Sequence, residues 1–360
     1  MQTAYIYHAI VNSTAEKCEV KRGLEVDKFR ASFSAMINAQ NLVIVQPFRV
    51  LEMTANLLLN DSKVKVAGID FDGVLRGKVM AKEKFLSSLK GGFGMSSAIF
   101  GWDMHDVLYT TETSITSANG GYPDLTAEID LASIRRLSFE GNIPMFLLRF
   151  SKNGSPACTD GRSMMASLER TLAKAGAEGY AGVELEFMNF QTPYEDGYGR
   201  TDGRQNLAAF LEKHSPDALR PLTSGMFGYS VSRPLMSKDF FHDTYDRSLE
   251  MGCPIEGWHT ESGPGVFEAA LTVSPVARMA DNVSLFKLLA KSIGIEHGVT
   301  PCFMAKPKEG LPGNSGHIHV SLTDLEGKNM FARETSTRCK DRLHVVWEES
   351  SVSCLMIQAG

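Results

Sequence analysis

The chain has 360 residues, 43% hydrophobic and 22% charged, the balance of a globular protein with a sizeable core. Lys+Arg 37 against Asp+Glu 42 leaves a formal charge of -5, which provides no basic field for nucleic acid or an anionic membrane, so neither is expected as a partner. The 6 cysteines (Cys18, Cys158, Cys253, Cys302, Cys339, Cys354) are scattered without a C-x-x-C pair, which speaks against a zinc knuckle or a disulfide framework and for inert thiols. With no basic-then-apolar leader and no run of membrane-spanning length, a cytoplasmic protein is expected.

Along the chain, residues 1–61 form an extension to which the sequence assigns no role. Lys28 to Gln40 and Leu51 to Leu59 read as amphipathic helices, separated by the β-like Leu42-Val43-Ile44-Val45, which Pro47 stops. From Lys63 the pattern becomes two short strands joined at the Asp72-Gly73 turn and running to Val79, a strong hairpin signal that opens a small β-rich domain. Gly91-Gly92-Phe93-Gly94 lacks the Lys-Ser/Thr and the helix of a phosphate-binding loop, so a flexible loop is expected there. Turn residues at Gly154-Ser155-Pro156 suggest a boundary, giving domains over 62–155 and 156–333 and a divergent stretch over 334–360.

Beyond that boundary, Arg162 to Ala175 has a helical apolar face at Met165, Leu168, Leu172 and Ala175, ended by Gly176. Gly182 to Phe187 alternates as a strand, and its pleat puts Glu184 and Glu186 on one face. A polar loop is expected over Glu195 to Arg204, and helices over Asp239 to Gly252 and Asp281 to Gly294, the latter burying Leu285, Leu288, Leu289 and Ile293. Pro301 to Pro307 then leads through a loop into the alternating strand His317 to Leu322.

The chemistry concentrates in Trp258-His259-Thr260-Glu261-Ser262-Gly263-Pro264-Gly265-Val266-Phe267-Glu268. Two carboxylates flank a Gly-Pro-Gly turn with an imidazole just ahead of the first, so the bend brings three potential ligands near one another. Singly, such signals are weak: two glutamates on a strand also suit a solvated face, and His317-x-His319 also suits a satisfied polar strand. Together, Glu184, Glu186, Glu261, Glu268 and His317 supply mostly oxygen with one imidazole, a set that favours Mg2+ or Mn2+ over zinc or copper. A metal-dependent hydrolase built on Glu184, Glu186 and His317 is another reading, but it leaves the Gly-Pro-Gly segment unexplained.

Three ordered segments resemble signatures of the glutamine synthetase family: Gly182 to Phe187, His259 to Glu268, and Lys306-Pro307 running to His317-Ile318-His319-Val320-Ser321-Leu322. The hairpin Asp70 to Lys78 is similar to that family's N-terminal β-grasp domain, so the resemblance covers roughly residues 62 to 333. It implies an α+β fold, a β-grasp domain followed by a catalytic domain with a curved antiparallel sheet and helices, incomplete at the C-terminus.

The implied activity is an ATP-dependent ligase joining ammonia or an amine to the γ-carboxylate of glutamate or a related amino acid through an acyl phosphate. The resemblance assigns Glu186, Glu261 and Glu268 to one Mg2+ (or Mn2+) and Glu184 and His317 to a second, with ATP as co-substrate. Glu256, His319 and Ser321 match nucleotide-contacting positions, and Asn314, Ser315 and Gly316 match the loop lining the amino-acid substrate. Val266 stands where many members have glutamine, and Gly94-Met95-Ser96-Ser97 keeps only the serines of the loop that carries an active-site aspartate. From about Glu334 the family pattern is lost, and with it the arginine segment that grips the substrate carboxylate and γ-phosphate; no catalytic residue is assigned. A homo-oligomer is expected of a complete chain, and a catalytically inactive truncated member with a structural or regulatory role is the alternative.

Overall fold

A computed structural model describes residues 47–194 and 207–331, together with Lys28. The expected strand at Leu42 to Val45, the loop from Glu195 to Arg204, the stretch from 334 onward and, apart from Lys28, the helix from Lys28 to Gln40 lie outside the described residues. The chain divides into two compact units, Met1–Ser163 and Met164–Gly360.

In the first unit, α1 (Pro47–Leu57) opens at Pro47. Proline suits a first helical turn, where its missing N–H has no partner to lose. The Asp-Gly hairpin forms as expected, β1 (Lys63–Ile69) pairing with β2 (Leu75–Ala81) from Lys63↔Ala81 to Ile69↔Leu75. Its turn is tied by Asp70, whose Oδ1 accepts from the Asp72 and Val74 amides at 2.9 and 2.8 Å, while Gly73 takes a φ of 74°. Asp70 Oδ2 accepts from Arg76 Nε at 2.8 Å, and Arg76 also donates to Asp106 and lies over the Trp102 ring at 5.3 Å.

Asp70 is buried, so Arg76→Ala strands a carboxylate held only by backbone amides. Urea unfolding should show a loss of about 2–3 kcal/mol. Asp70→Asn together with Arg76→Ala should lose less than the two single changes summed.

Next come α2 (Lys82–Ser88), β3 (Phe93–Ser96), β4 (Asp124–Leu137), β5 (Ile143–Lys152) and β6 (Ser155–Pro156). The sheet order is β2-β1-β5-β4-β3, with β6 on β5; β1 and β5 run parallel in the middle and their neighbours antiparallel. Phe85 of α2 meets Phe146 of β5 at 4.7 Å in the core, completing a β-grasp arrangement. The flexible loop expected after Gly91 is corrected here. Phe93 and Met95 alternate inward against this core, so residues 93–96 pair with β4 as a strand despite Gly94. The turn at Gly154 joins β5 to β6 within the first unit.

The second unit contains α3 (Gly161–Lys174, entered at the division), β7 (Ala177–Gln191), α4 (Leu207–Lys213), α5 (Lys238–Glu250), β8 (Ile255–Thr260), β9 (Val266–Pro275), α6 (Val276–His297), β10 (Val299–Cys302) and β11 (Gly316–Asp324). In α3, Met165, Leu168 and Leu172 are half-buried, and Ala175, just past its end, is exposed. The sheet order is β10-β7-β9-β8, and β11 pairs with β7 beside the stretch taken by β10, all antiparallel.

Helix α6 starts earlier than the apolar pattern indicates, because the buried polar pair Asp281 and Asn282 interrupts that pattern. It buries Leu285, Phe286, Leu289 and Ile293, while Leu288 is half-buried. Likewise Pro301 and Cys302, expected in a loop, end strand β10. Phe187 of β7 stacks with Trp258 and Phe303 and meets Phe286 edge-on, which fixes one face of the sheet as core.

Candidate functional site

Strand β7 sets the site. From Ala177 to Phe187 its odd-numbered residues are buried and its even-numbered residues, apart from the exposed Glu178, are half-exposed, so Glu184 and Glu186 stand on the face opposite Phe187. Antiparallel register carries this face across the sheet. Glu186 lies opposite Glu268 on β9, and Glu268 opposite His259 on β8; on the other side His317 of β11 lies opposite Glu184, and His319 opposite Gly182. Partners in register share a face, so Glu184, Glu186, Glu268, His259, His317 and His319 form one polar field.

Glu261, just past β8, joins this field because the Gly-Pro-Gly turn is pinned in place. Gly265 has a φ of 69°, and its amide donates to Thr223 Oγ1 at 3.0 Å. Its carbonyl accepts from both the backbone amide and the side chain of buried Asn189, at 2.9 and 3.0 Å. The Glu261 amide then donates to the Val266 carbonyl at 2.9 Å, closing the loop. As a result His259, Glu261 and Glu268 each bring a ligand atom within 4.8 Å of the others.

The imidazole is oriented for this role. His259 Nδ1 lies 3.1 Å from the Thr260 carbonyl, which can only accept, so an Nδ1 proton is held there and Nε2 is turned to Glu268 Oε2 at 3.8 Å. Tyr229 stacks on the ring at 4.1 Å. Burial chiefly raises the Glu268 carboxyl above its ordinary range, against the lowering pull of His259 and with smaller raising contributions from the charges of Glu186, Glu184 and Glu261. Burial followed by Glu268, Glu261 and Glu184 likewise raises the Tyr229 hydroxyl. The field is strongly anionic and suits a cation.

Glu186 is held by Ser315, whose amide donates to Oε2 at 2.9 Å and whose hydroxyl donates to Oε1 at 2.5 Å while lying 3.2 Å from His317 Nε2. His317 Nδ1 and His319 Nε2 approach the Glu184 carboxylate at 3.9 and 3.6 Å. Of the other expected site residues, Ser321 sits further along β11 opposite Tyr180, and Gly316 opposite Leu185. Asn314 is buried and spends its amide on the Cys302 and Met304 carbonyls at 3.3 and 2.8 Å, which fixes the loop carrying Ser315. Glu256 is exposed and is the extra residue of a bulge between Ile255 and Gly257.

The ligand set drawn by resemblance leaves out His259, although the spacing of His259, Glu261 and Glu268 alone brings it in. Tyr229 has no sequence signal, since its stacking depends on a loop held to β8 by the Tyr229 amide on the Thr260 carbonyl at 2.7 Å.

Comparison with known proteins bears on this arrangement. The model of the glutamine synthetase catalytic domain matches residues 158–344. Type-1 glutamine synthetase 2 of Dictyostelium discoideum is 38% identical over 288 residues, covering 78% of this chain and 52% of that protein. Glutamate–isopropylamine ligase of a Pseudomonas species is 28% identical over 275 residues, covering 76% and 57%. The chain spans about half the length of these curated relatives. Among solved structures, apo GmaS without ligand superposes with a TM-score of 0.61 at 20% identity over 78% of this chain and 59% of that one. Plasmodium falciparum glutamine synthetase, solved by cryoEM, gives 0.62 at 18% identity over 81% and 56%; both likenesses concern the fold. A catalytic-domain match spanning half of the sequence, over the sheet that carries the acidic face, establishes that the chain belongs to the glutamine synthetase family.

Proposed function

We propose that this chain carries the metal- and nucleotide-facing half of an ATP-dependent ligase that joins ammonia or an amine to the side-chain carboxylate of glutamate or a related amino acid. One observation carries the reading: three strands place Glu186, Glu268 and His259 in one row, with Glu261 brought to its end by the Gly-Pro-Gly turn.

The donor set fits a hard divalent cation. It is mostly carboxylate oxygen, its single close imidazole turns Nε2 toward Glu268, and burial first, then like charges, raise the Glu268 carboxyl. Glu186, Glu261, Glu268 and His259 would hold one Mg2+ or Mn2+, and Glu184 with His317 a second. When bound, such ions offset the repulsion between two anionic reactants and the charge on a transferring phosphoryl group.

The chain's own residues supply order. Ser315 fixes the Glu186 carboxylate from two sides, Asn314 anchors the Ser315 loop, and Asn189 with Thr223 locks the turn between Glu261 and Glu268. Preorganised groups of this kind avoid reorganisation during the reaction. His319 and Ser321, further along β11, are proposed for nucleotide contact, and relatives named as a glutamine synthetase and a glutamate–isopropylamine ligase support an amine-accepting reaction.

The test is formation of γ-glutamyl hydroxamate from glutamate, hydroxylamine and Mg-ATP by the 360-residue chain. The reading expects turnover that falls by about 100-fold or more in Glu261→Gln. Equal turnover by that variant would remove Glu261 from the site, and no turnover with intact cation binding would favour the inactive alternative.

A further inference from the structure

Between the end of β7, α4, α5 and the end of α6 lies a cavity of about 800 Å³ that the proposed ligase reaction does not use. That volume falls within the range of roughly 300–1,000 Å³ usual for small-molecule sites. Phe240 lines the cavity and meets Phe267 of β9 at 6.2 Å, and Phe267 lies opposite Phe187 in register. The cavity is therefore on the side of the sheet turned away from Glu186.

Its wall joins apolar surface to positive charge. Phe210, Leu222, Phe240 and Val299 supply the first, and Arg220 and Lys238 the second. Among the described residues neither cation forms an ion pair. The nearby acids are already accommodated: Asp243 is matched by His297 at 2.7 Å and Arg247 at 3.8 Å, and Asp239 stands in the first turn of α5, where the helix dipole favours a carboxylate.

We infer that this cavity binds small organic acids with an apolar body. The carboxylate meets Arg220 and Lys238 through charge-assisted hydrogen bonds, and the hydrocarbon leaves water against Phe210, Leu222 and Phe240.

Occupancy bears on the Gly-Pro-Gly turn, because one wall of the cavity is the strap over residues 219–223. The Arg220 carbonyl accepts from the Gln191 amide at 2.9 Å, the Leu222 amide donates to the Asn189 carbonyl at 2.7 Å, and Thr223 Oγ1 accepts from the Gly265 amide at 3.0 Å. A ligand held by Arg220 and Leu222 restrains this strap, and the strap restrains the turn between Glu261 and Glu268. An organic acid in the cavity thus stiffens the acidic face from the opposite side of the sheet. The inference does not depend on the ligase reading.

The experiment titrates sodium octanoate into the native 360-residue chain by calorimetry, without divalent cation, and compares octan-1-ol and acetate. Octanoate should bind saturably, and octanol, which lacks the charge, and acetate, which lacks the apolar body, about tenfold or more weakly. Arg220→Gln with Lys238→Gln should weaken octanoate about tenfold or more, whereas Lys63→Gln with Lys84→Gln, two exposed lysines of the first unit, should leave it unchanged. Hydrogen exchange then reads the strap: at ten times its dissociation constant octanoate should slow exchange of the Leu222 and Gly265 amides about tenfold, since opening requires its release. Equal octanoate binding by the Arg220/Lys238 variant, or octanol binding as tight as octanoate, would overturn the site. Octanoate binding that leaves both amides exchanging at their native rates would overturn the link to the turn.

Discussion

Glu268→Gln is expected to raise the melting temperature of the metal-free chain and at the same time to abolish the further rise that Mn2+ gives the native protein. In the metal-free state the Glu268 carboxylate is buried beside Glu186, Glu184 and Glu261, and its carboxyl is raised in consequence. A carboxyl raised on folding binds more protons in the native than in the unfolded state. Its ionisation therefore costs stability at neutral pH, and the cost fades as pH falls through the native value.

Removing the charge should gain about 2–4 °C, the response of a domain of this size to about 1 kcal/mol. The gain over the native chain should shrink on acidification. A cation at a hundred times its dissociation constant adds about 2.7 kcal/mol to a protein that binds it only when folded, or about 5–10 °C. Scanning calorimetry with and without Mn2+ reads both effects, and a variant that keeps the Mn2+ shift would place the ion elsewhere.

Gly265→Ala should be more damaging than its chemistry suggests. At a φ of 69° any side chain is strained, and a Cβ there would lie 2.6 Å from the Asn189 carbonyl oxygen and 3.0 Å from the Leu222 amide nitrogen, both backbone atoms. Those atoms bond each other at 2.7 Å, and Asn189 also donates to the Gly265 carbonyl, so the clash cannot relax without opening the turn. A cost of about 3 kcal/mol or more is expected from strain and overpacking together. Chemical unfolding measures it. Because the same turn sets the separation of Glu261 and Glu268, Mn2+ affinity should fall even at temperatures where the variant is folded.

The sequence disclosed these features to the extent that they depend on short-range chemistry. The Asp70 hairpin was legible because an Asp-Gly turn between alternating strands admits few conformations, and Glu184 and Glu186 because a pleat repeats every second residue. Residues 93–96 were misread since glycine is scored as a breaker, whereas the inward alternation of Phe93 and Met95 decides the outcome once β4 is there to pair. The start of α6 was hidden by Asp281 and Asn282, polar residues that tertiary contacts bury.

Across strands, legibility ended. That His259 faces Glu268 and that Glu186 faces Glu268 are matters of register, set by bulges at Ala181/Val183 and Ile255/Gly257 that no local pattern announces. Ser315, which the family resemblance places in the loop lining the amino-acid substrate, is the residue that grips Glu186.

The central claim is that one sheet face binds divalent cations through Glu186 and Glu268, the pair opposed on β7 and β9. Titration calorimetry of Mn2+ into the native chain and into the Glu186→Gln, Glu268→Gln double variant tests it most directly. The account predicts saturable binding by the native chain that the double variant lacks; equal binding by the two proteins would contradict it.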